Sequence, residues 1–204
     1  PVRESVAEAV AYARQRPRVL ALVLGKAGYG VAAGVVALLT VFGQKGMLGG
    51  PSGAQGIALL LTARGLGALF GPFLLRFLVR RDEQLNISVG PCIALFGLGY
   101  FGLSQGAGRG IWLPCACVLV AHMGGAGQWM ASTYGLQREI PDALRGRVFA
   151  FDYGLVTLGL SLSSLLAGIF ADRYGLQPVI MAFSGLAMVW AGLWLLFTWR
   201  LWRL

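Results

Sequence analysis

Six long apolar runs decide what this chain can fold into. They cover 19–42, 54–79, 85–105, 111–134, 148–171 and 179–199. A helix needs about 20 apolar residues to cross a hydrocarbon core of ~30 Å, and each run meets that length. The segments between them, 43–53, 80–84, 106–110, 135–147 and 172–178, are short and rich in Gly, Pro and charge. None has room for a separate soluble domain. The runs are too long and too uniform for the alternating strands of a membrane barrel. The expected fold class is therefore all-α, a polytopic membrane protein with six transmembrane helices.

Composition excludes the soluble alternatives. Of the 204 residues, 57% are hydrophobic and 12% charged, where a soluble domain carries about 25% charged residues. That is too little polar surface to coat a core of this size. The net charge of +9 is no nucleic-acid footprint, because the basic residues stand between apolar runs. Cys92, Cys115 and Cys117 all fall inside apolar runs and show no metal-ligand spacing, so they read as small apolar fillers. No metal site and no cofactor are expected. No P-loop, HExxH or GxSxG pattern is present, so neither ATP drive from this chain nor an enzymatic activity is expected.

Charge sets the orientation. An even number of crossings puts both ends on one side of the membrane. Arg3, Arg14, Arg16, Arg18, Arg76, Arg80, Arg81, Arg138, Arg145, Arg147, Arg200 and Arg203 flank the runs on that side, and only Lys45, Arg109 and Arg173 flank them on the other. The positive-inside rule then places both termini in the cytoplasm, as for a multi-pass protein of a cell's inner membrane. Segment 1–17 carries Val2, Val6, Ala9, Val10 and Ala13 at helical spacing, with Glu4, Glu8, Arg14 and Arg16 off that stripe. It reads as a short amphipathic helix, lying on the inner membrane surface or docked on the protein, with Pro17 breaking it before the first span. The chain opens on Pro1 without a signal peptide, and an upstream part is expected.

Residues 136–149, LQREIPDALRGRVF, resemble the cytoplasmic loop between the tenth and eleventh helices of major facilitator superfamily exporters, in the branch that includes the enterobactin exporter. Residues 26–34 (KAGYGVAAG), 63–72 (ARGLGALFGP), 121–125 (AHMGG) and 167–175 (AGIFADRYG) are similar to the seventh, eighth, tenth and eleventh helices of the same branch. The resemblance implies a linker at 1–17, followed at 18–204 by the C-terminal six-helix half of a twelve-helix transporter. Its expected partners are a small-molecule substrate, the lipid bilayer and an N-terminal half on the same chain or a second copy. It implies proton-coupled efflux of a small amphipathic molecule by alternating access. A membrane scaffold or assembly subunit that moves nothing is the alternative. The family's Asp-Arg loop element is degenerate here: Gly71, Arg76, Arg80 and Arg81 remain without its Asp, and Asp172-Arg173 falls on the external side. The gating role of that element is therefore not carried over.

Charges inside apolar runs are costly and so mark chemistry, at about 2.5–3.5 kcal/mol each on insertion scales. Lys26 stands about 10 Å into the first run and Asp152 about 6 Å into the fifth, measured from the same side. They either pair across a wet cavity or reach the interface separately, Asp152 then drawing on its helix N-terminus. Arg64 shares a face with Gly67, Ala68 and Gly71, and either binds an anionic substrate group or braces a close helix contact. The resemblance implies that the first and fourth helices line a central cavity, which makes Lys26, Tyr29, His122 and Trp129 lining candidates. His122 is then either a proton-coupling group or a neutral imidazole bonded to a neighbouring helix. Gln128 and Tyr134 are expected near the inner mouth. Glu139, Asp142, Arg145 and Arg147 carry opposed charges at a spacing suited to an exchangeable network, which the resemblance reads as a cytoplasmic latch and the positive-inside rule reads as a solvated loop. Gly30/Gly34 and Gly67/Gly71 have small-xxx-small spacing, and Pro72 and Pro91 are expected to kink their spans.

Overall fold

The computed structural model describes the backbone of residues 2–47 and 49–202, and the side chains of those residues except 2–5, 83 and 202. The side chains of Val2, Arg3 and Glu4, and all of Pro1 and Arg203, lie outside the described residues. Among these the fold is all-helical. The order is α1 (Val2–Gln15), α2 (Pro17–Ala32), a 3-10 segment (Ala33–Ala37), α3 (Leu38–Gln44), α4 (Gly53–Leu78), α5 (Asp82–Ile87), α6 (Val89–Gln105), α7 (Trp112–Glu139), α8 (Asp142–Tyr174) and α9 (Leu176–Thr198), ending in a 3-10 turn.

Among the described residues five stretches are long and apolar enough to cross a membrane: Pro17–Gln44, Gly53–Leu78, Gln84–Gln105, Asp142–Tyr174 and Leu176–Leu201. The sixth expected crossing forms α7, whose 28 residues span about 42 Å. Its length suffices, but His122, Gln128, Ser132, Thr133 and a run of glycines make it too polar to qualify by composition. The helix is instead packed among α4, α6 and α2.

Two connections are tighter than the sequence suggests. Between α7 and α8 only Ile140 and Pro141 intervene, so the expected loop 135–147 is helical at both ends. Pro141 takes the extended backbone that starts α8 (φ −61°, ψ 149°), and the helix-compatible residues beyond it carry the helix on past the apolar run. Between α8 and α9 only Gly175 intervenes, at φ 89°, a conformation that favours glycine. Pro17 is the first residue of α2, where its missing N–H costs nothing. Pro91 falls in the first turn of α6, and the break in that span lies upstream at Ser88. Pro91 has no N–H to offer the Ile87 carbonyl, and at the break itself the Ser88 hydroxyl donates to Leu85 O at 2.5 Å.

Packing follows the glycines. α4 lies on α7, α2 lies between α7 and α8, and α6 and α9 pack behind α7 and α2. A side chain on Gly30 or Gly34 would meet the α8 backbone at Val156 and Ser163 within 2.7 and 2.4 Å. One on Gly67 or Gly71 would meet the α7 backbone at Leu119 and Met123 within 2.3 and 2.4 Å. Both small-xxx-small faces thus let two backbones approach closely. Trp194 seals the other side of α2, its indole N–H donating to Ala21 O at 2.7 Å. Only 22% of the apolar stretch of α4 and 17% of that of α8 are buried within the bundle, against 61% for the first span. Those two helices therefore leave most of their apolar surface for lipid or another bundle.

Candidate functional site

α2 places Lys26 nine residues beyond Pro17, and α8 places Asp152 ten residues beyond Asp142, so both lie about 14 Å along their helices. Lys26 Nζ and Asp152 Oδ2 are 2.6 Å apart, and each side chain is 2% exposed. Because α8 starts ten residues before Asp152, the carboxylate is far from its helix N-terminus and draws nothing from that dipole. Neither charge reaches out to an interface; each neutralises the other inside the bundle. The ammonium also donates to Thr133 Oγ1 on α7 at 3.1 Å and lies 5.0 Å from the centre of the Trp129 ring. Trp129 in turn meets the exposed Tyr153 edge to face at 6.0 Å. Asp152 Oδ1 is buried and has no hydrogen-bond partner among the described residues. The arrangement is a desolvated ion pair with the Trp129 ring beside the ammonium and one carboxylate oxygen open to a further donor.

An aromatic cluster occupies the next layer. Tyr29 packs edge to face on Phe96 at 4.9 Å, Phe96 meets Tyr100 at 4.8 Å, and Tyr100 hydroxyl and His122 Nε2 are 3.0 Å apart. His122 is 6% exposed, so it takes the arrangement of an imidazole bonded to a neighbouring helix. Arg64 is exposed, yet its charge bears on Tyr29, Tyr100 and His122. Gly67, one turn on from Arg64, packs against His122 and Leu119. Gln128 is not near a mouth: it is fully buried, with both amide atoms unpaired among the described residues.

The latch candidates Glu139, Asp142, Arg145 and Arg147 are all engaged within the bundle. Glu139 pairs with Arg18 at 3.6 Å, and Asp142 with Arg145 at 2.6 Å. Arg147 pairs with Glu8 of α1. Tyr12 donates to Glu139 O at 3.1 Å, and Ala9 and Ala13 are buried, so α1 is docked on the protein. Asp82 holds Arg138 at 2.7 Å and Arg76 at 3.4 Å, joining the start of α5 to the ends of α7 and α4. An apolar groove of about 480 Å3 between α2, α8 and α9, lined by Gly28, Leu158 and Trp190 among others, contains none of the candidate residues.

Sequence reasoning missed Thr133, Tyr153, Tyr100, Glu8 and Asp82. Thr133 had a signal, being four residues from Trp129 and so on the same face. Asp82 had another, as an acid directly following Arg80 and Arg81.

No family model matches the chain, and no solved structure matches it. Curated relatives do. Uncharacterized MFS-type (major facilitator superfamily) transporters of Mycobacterium bovis and Mycobacterium tuberculosis are each 30% identical over 182 residues. The match covers 88% of this chain and 40% of each relative, so the chain spans well under half the length of the curated proteins it resembles. The apolar helices support a multi-pass membrane protein, and the relatives it is similar to are named as transporters of the major facilitator superfamily.

Proposed function

We propose that this chain is the C-terminal six-helix half of a secondary active transporter, with α7 as its sixth crossing. It exports a small amphipathic molecule by alternating access coupled to protons, from a cell's inner membrane with both termini in the cytoplasm. The observation that carries this reading is the Lys26–Asp152 pair, 2.6 Å apart and buried where α2, α7 and α8 meet. A proton delivered to Asp152 Oδ1 neutralises the carboxylate and frees the ammonium, which is the switchable element that coupling requires. Tyr29, His122 and Trp129 complete the lining, and Arg64 adds a fixed positive charge. The barely buried faces of α4 and α8 receive the second half, consistent with relatives more than twice the length of this chain. Glu139, Asp142, Arg145 and Arg147 serve as the latch by exchanging their partners within this half for groups on the other. Efflux, rather than uptake, rests on the likeness of residues 136–149 to the exporter loop.

A scaffold reading draws on the mutual neutralisation of Lys26 and Asp152. Asp152 Oδ1 and Arg64, each without a hydrogen-bond or ion-pair partner among the described residues, weigh against it, because a static bundle has no use for either.

The test labels the exposed Tyr153 position from each side of the membrane. A full-length protein lacking its native cysteines and carrying Tyr153→Cys is reacted in oriented vesicles with a membrane-impermeant maleimide. Alternating access gives labelling from both faces, shifted between them by a pH gradient in the parent and fixed in an Asp152→Asn background. Labelling from one face only, indifferent to the gradient, leaves the scaffold.

A further inference from the structure

We infer that Arg64 anchors an anionic group of the transported molecule, so that the substrate is an anionic amphiphile; this rests on the transporter reading above. Arg64 stands 11 residues beyond the start of α4, about 16 Å along the helix and so close to the middle of a ~30 Å hydrocarbon core. A guanidinium cannot shed its charge there. Among the described residues it has no ion pair and no hydrogen bond. The acid at similar depth, Asp152, is committed to Lys26. One positive charge is therefore left over, and intramembrane charges are almost always paired or turned to a water-filled cavity.

The surroundings fit an anion with an apolar body. Gly67, one turn on from Arg64, packs against His122 of α7, while Arg64 itself stays exposed. Tyr29 is half-buried and makes no hydrogen bond among the described residues, so its hydroxyl is a donor not yet used. Tyr29, half-buried against Phe96, offers the open part of its ring to the apolar part of the same molecule. A carboxylate, sulfonate or phosphate monoester presents the two oxygens that a guanidinium fork accepts. A phospholipid headgroup is held at the interface and does not reach this depth, so the anion belongs to a solute inside the cavity.

Binding to the purified full-length protein in neutral detergent tests this. The probes are naphthalene-2-sulfonate and tetraphenylphosphonium, both apolar and of opposite charge, read by quenching of tryptophan fluorescence. Arg64→Gln is expected to weaken naphthalene-2-sulfonate about ten- to hundredfold, the range carried by one hydrogen bond to an ion. Arg64→Lys retains part of that affinity, and tetraphenylphosphonium is unaffected. The inference is overturned if naphthalene-2-sulfonate does not bind the parent or if Arg64→Gln leaves its affinity within twofold. It is also overturned if Arg64→Gln lowers the melting temperature with anion binding intact, which identifies a carboxylate of the other half as the partner. Binding of tetraphenylphosphonium alone refutes the anion and leaves the transporter standing. One-sided labelling at position 153 removes the transporter itself.

Discussion

Breaking the Lys26–Asp152 pair has a cost whose pH dependence reveals which charge is left behind. At 2.6 Å the pair attracts by about 6 kcal/mol at an effective dielectric of about 20. Both side chains are 2% exposed, so a charge deprived of its partner has no water to turn to. In Lys26→Met the stranded carboxyl takes up a proton. From a reference pKa near 3.9 this costs about 4 kcal/mol at pH 7. In Asp152→Asn the stranded amine gives one up, at about 5 kcal/mol from a reference near 10.4. The two variants then respond to pH in opposite directions. Folded Lys26→Met holds a proton that its unfolded chain lacks at pH 7, so its stability falls as pH rises and recovers by about 1.4 kcal/mol per unit on acidification toward pH 4. Folded Asp152→Asn holds one proton fewer than its unfolded chain, so its stability climbs as pH rises toward 10. The double variant strands no charge. It should lie within about 2 kcal/mol of the parent, allowing for the lost hydrogen bonds, and show neither trend. Denaturant unfolding in detergent, followed by tryptophan fluorescence between pH 5 and 9, reads all four proteins. If both single variants lose less than about 1 kcal/mol, or drift the same way with pH, the pair is solvated and the reasoning fails.

Two further outcomes follow from the packing. Gly34→Ala drives a methyl against the Ser163 carbonyl at 2.4 Å and should cost about 1–3 kcal/mol, whereas Gly185→Ala in α9 meets nothing within 4 Å and should gain up to about 1 kcal/mol in helix propensity; equal melting temperatures would contradict the close α2–α8 approach. Glu8→Gln removes an ion pair to Arg147 whose partners are half exposed, 47% and 48%, so it should cost under about 1 kcal/mol and loosen α1 alone. Hydrogen exchange of the α1 amides should rise in Glu8→Gln at low salt, and the difference from the parent should shrink at 1 M salt.

The spans were legible because hydropathy over twenty residues is a strong signal, and five of the six expected runs pass on length and apolarity. The sixth, α7, shows where that signal fades: a helix packed against α4, α6 and α2 has neighbours to accept His122 and Thr133, so it needs less oil. Helix ends were less legible. The expected loops 135–147 and 172–178 shrink to the two residues 140–141 and the one residue 175, because Arg, Glu and Leu sustain a helix beyond the oily stretch. Depth along a helix can be counted from sequence, and counting put Lys26 and Asp152 together. Azimuth relative to other helices cannot, which hid Tyr100 beside His122 and Thr133 beside Lys26. Glu8 and Asp82 escaped for a similar reason: Arg147, the partner of Glu8, and Arg138, the tighter of the two partners of Asp82, are each more than fifty residues away in the chain.

The short 3-10 stretch Ala33–Ala37 gives the first span two phases. At three residues per turn and 2.0 Å of rise, five residues advance about 10 Å and wind about 100° further than an α-helix would. A helical wheel drawn through Lys26 and Tyr29 therefore misplaces everything beyond residue 37. The lower rod leans on α7, α8 and α9, while the upper rod, with Leu38, Leu39 and Phe42 inward, is turned to meet α4. One crossing thereby serves two sets of neighbours, α7, α8 and α9 along its first part and α4 along its second.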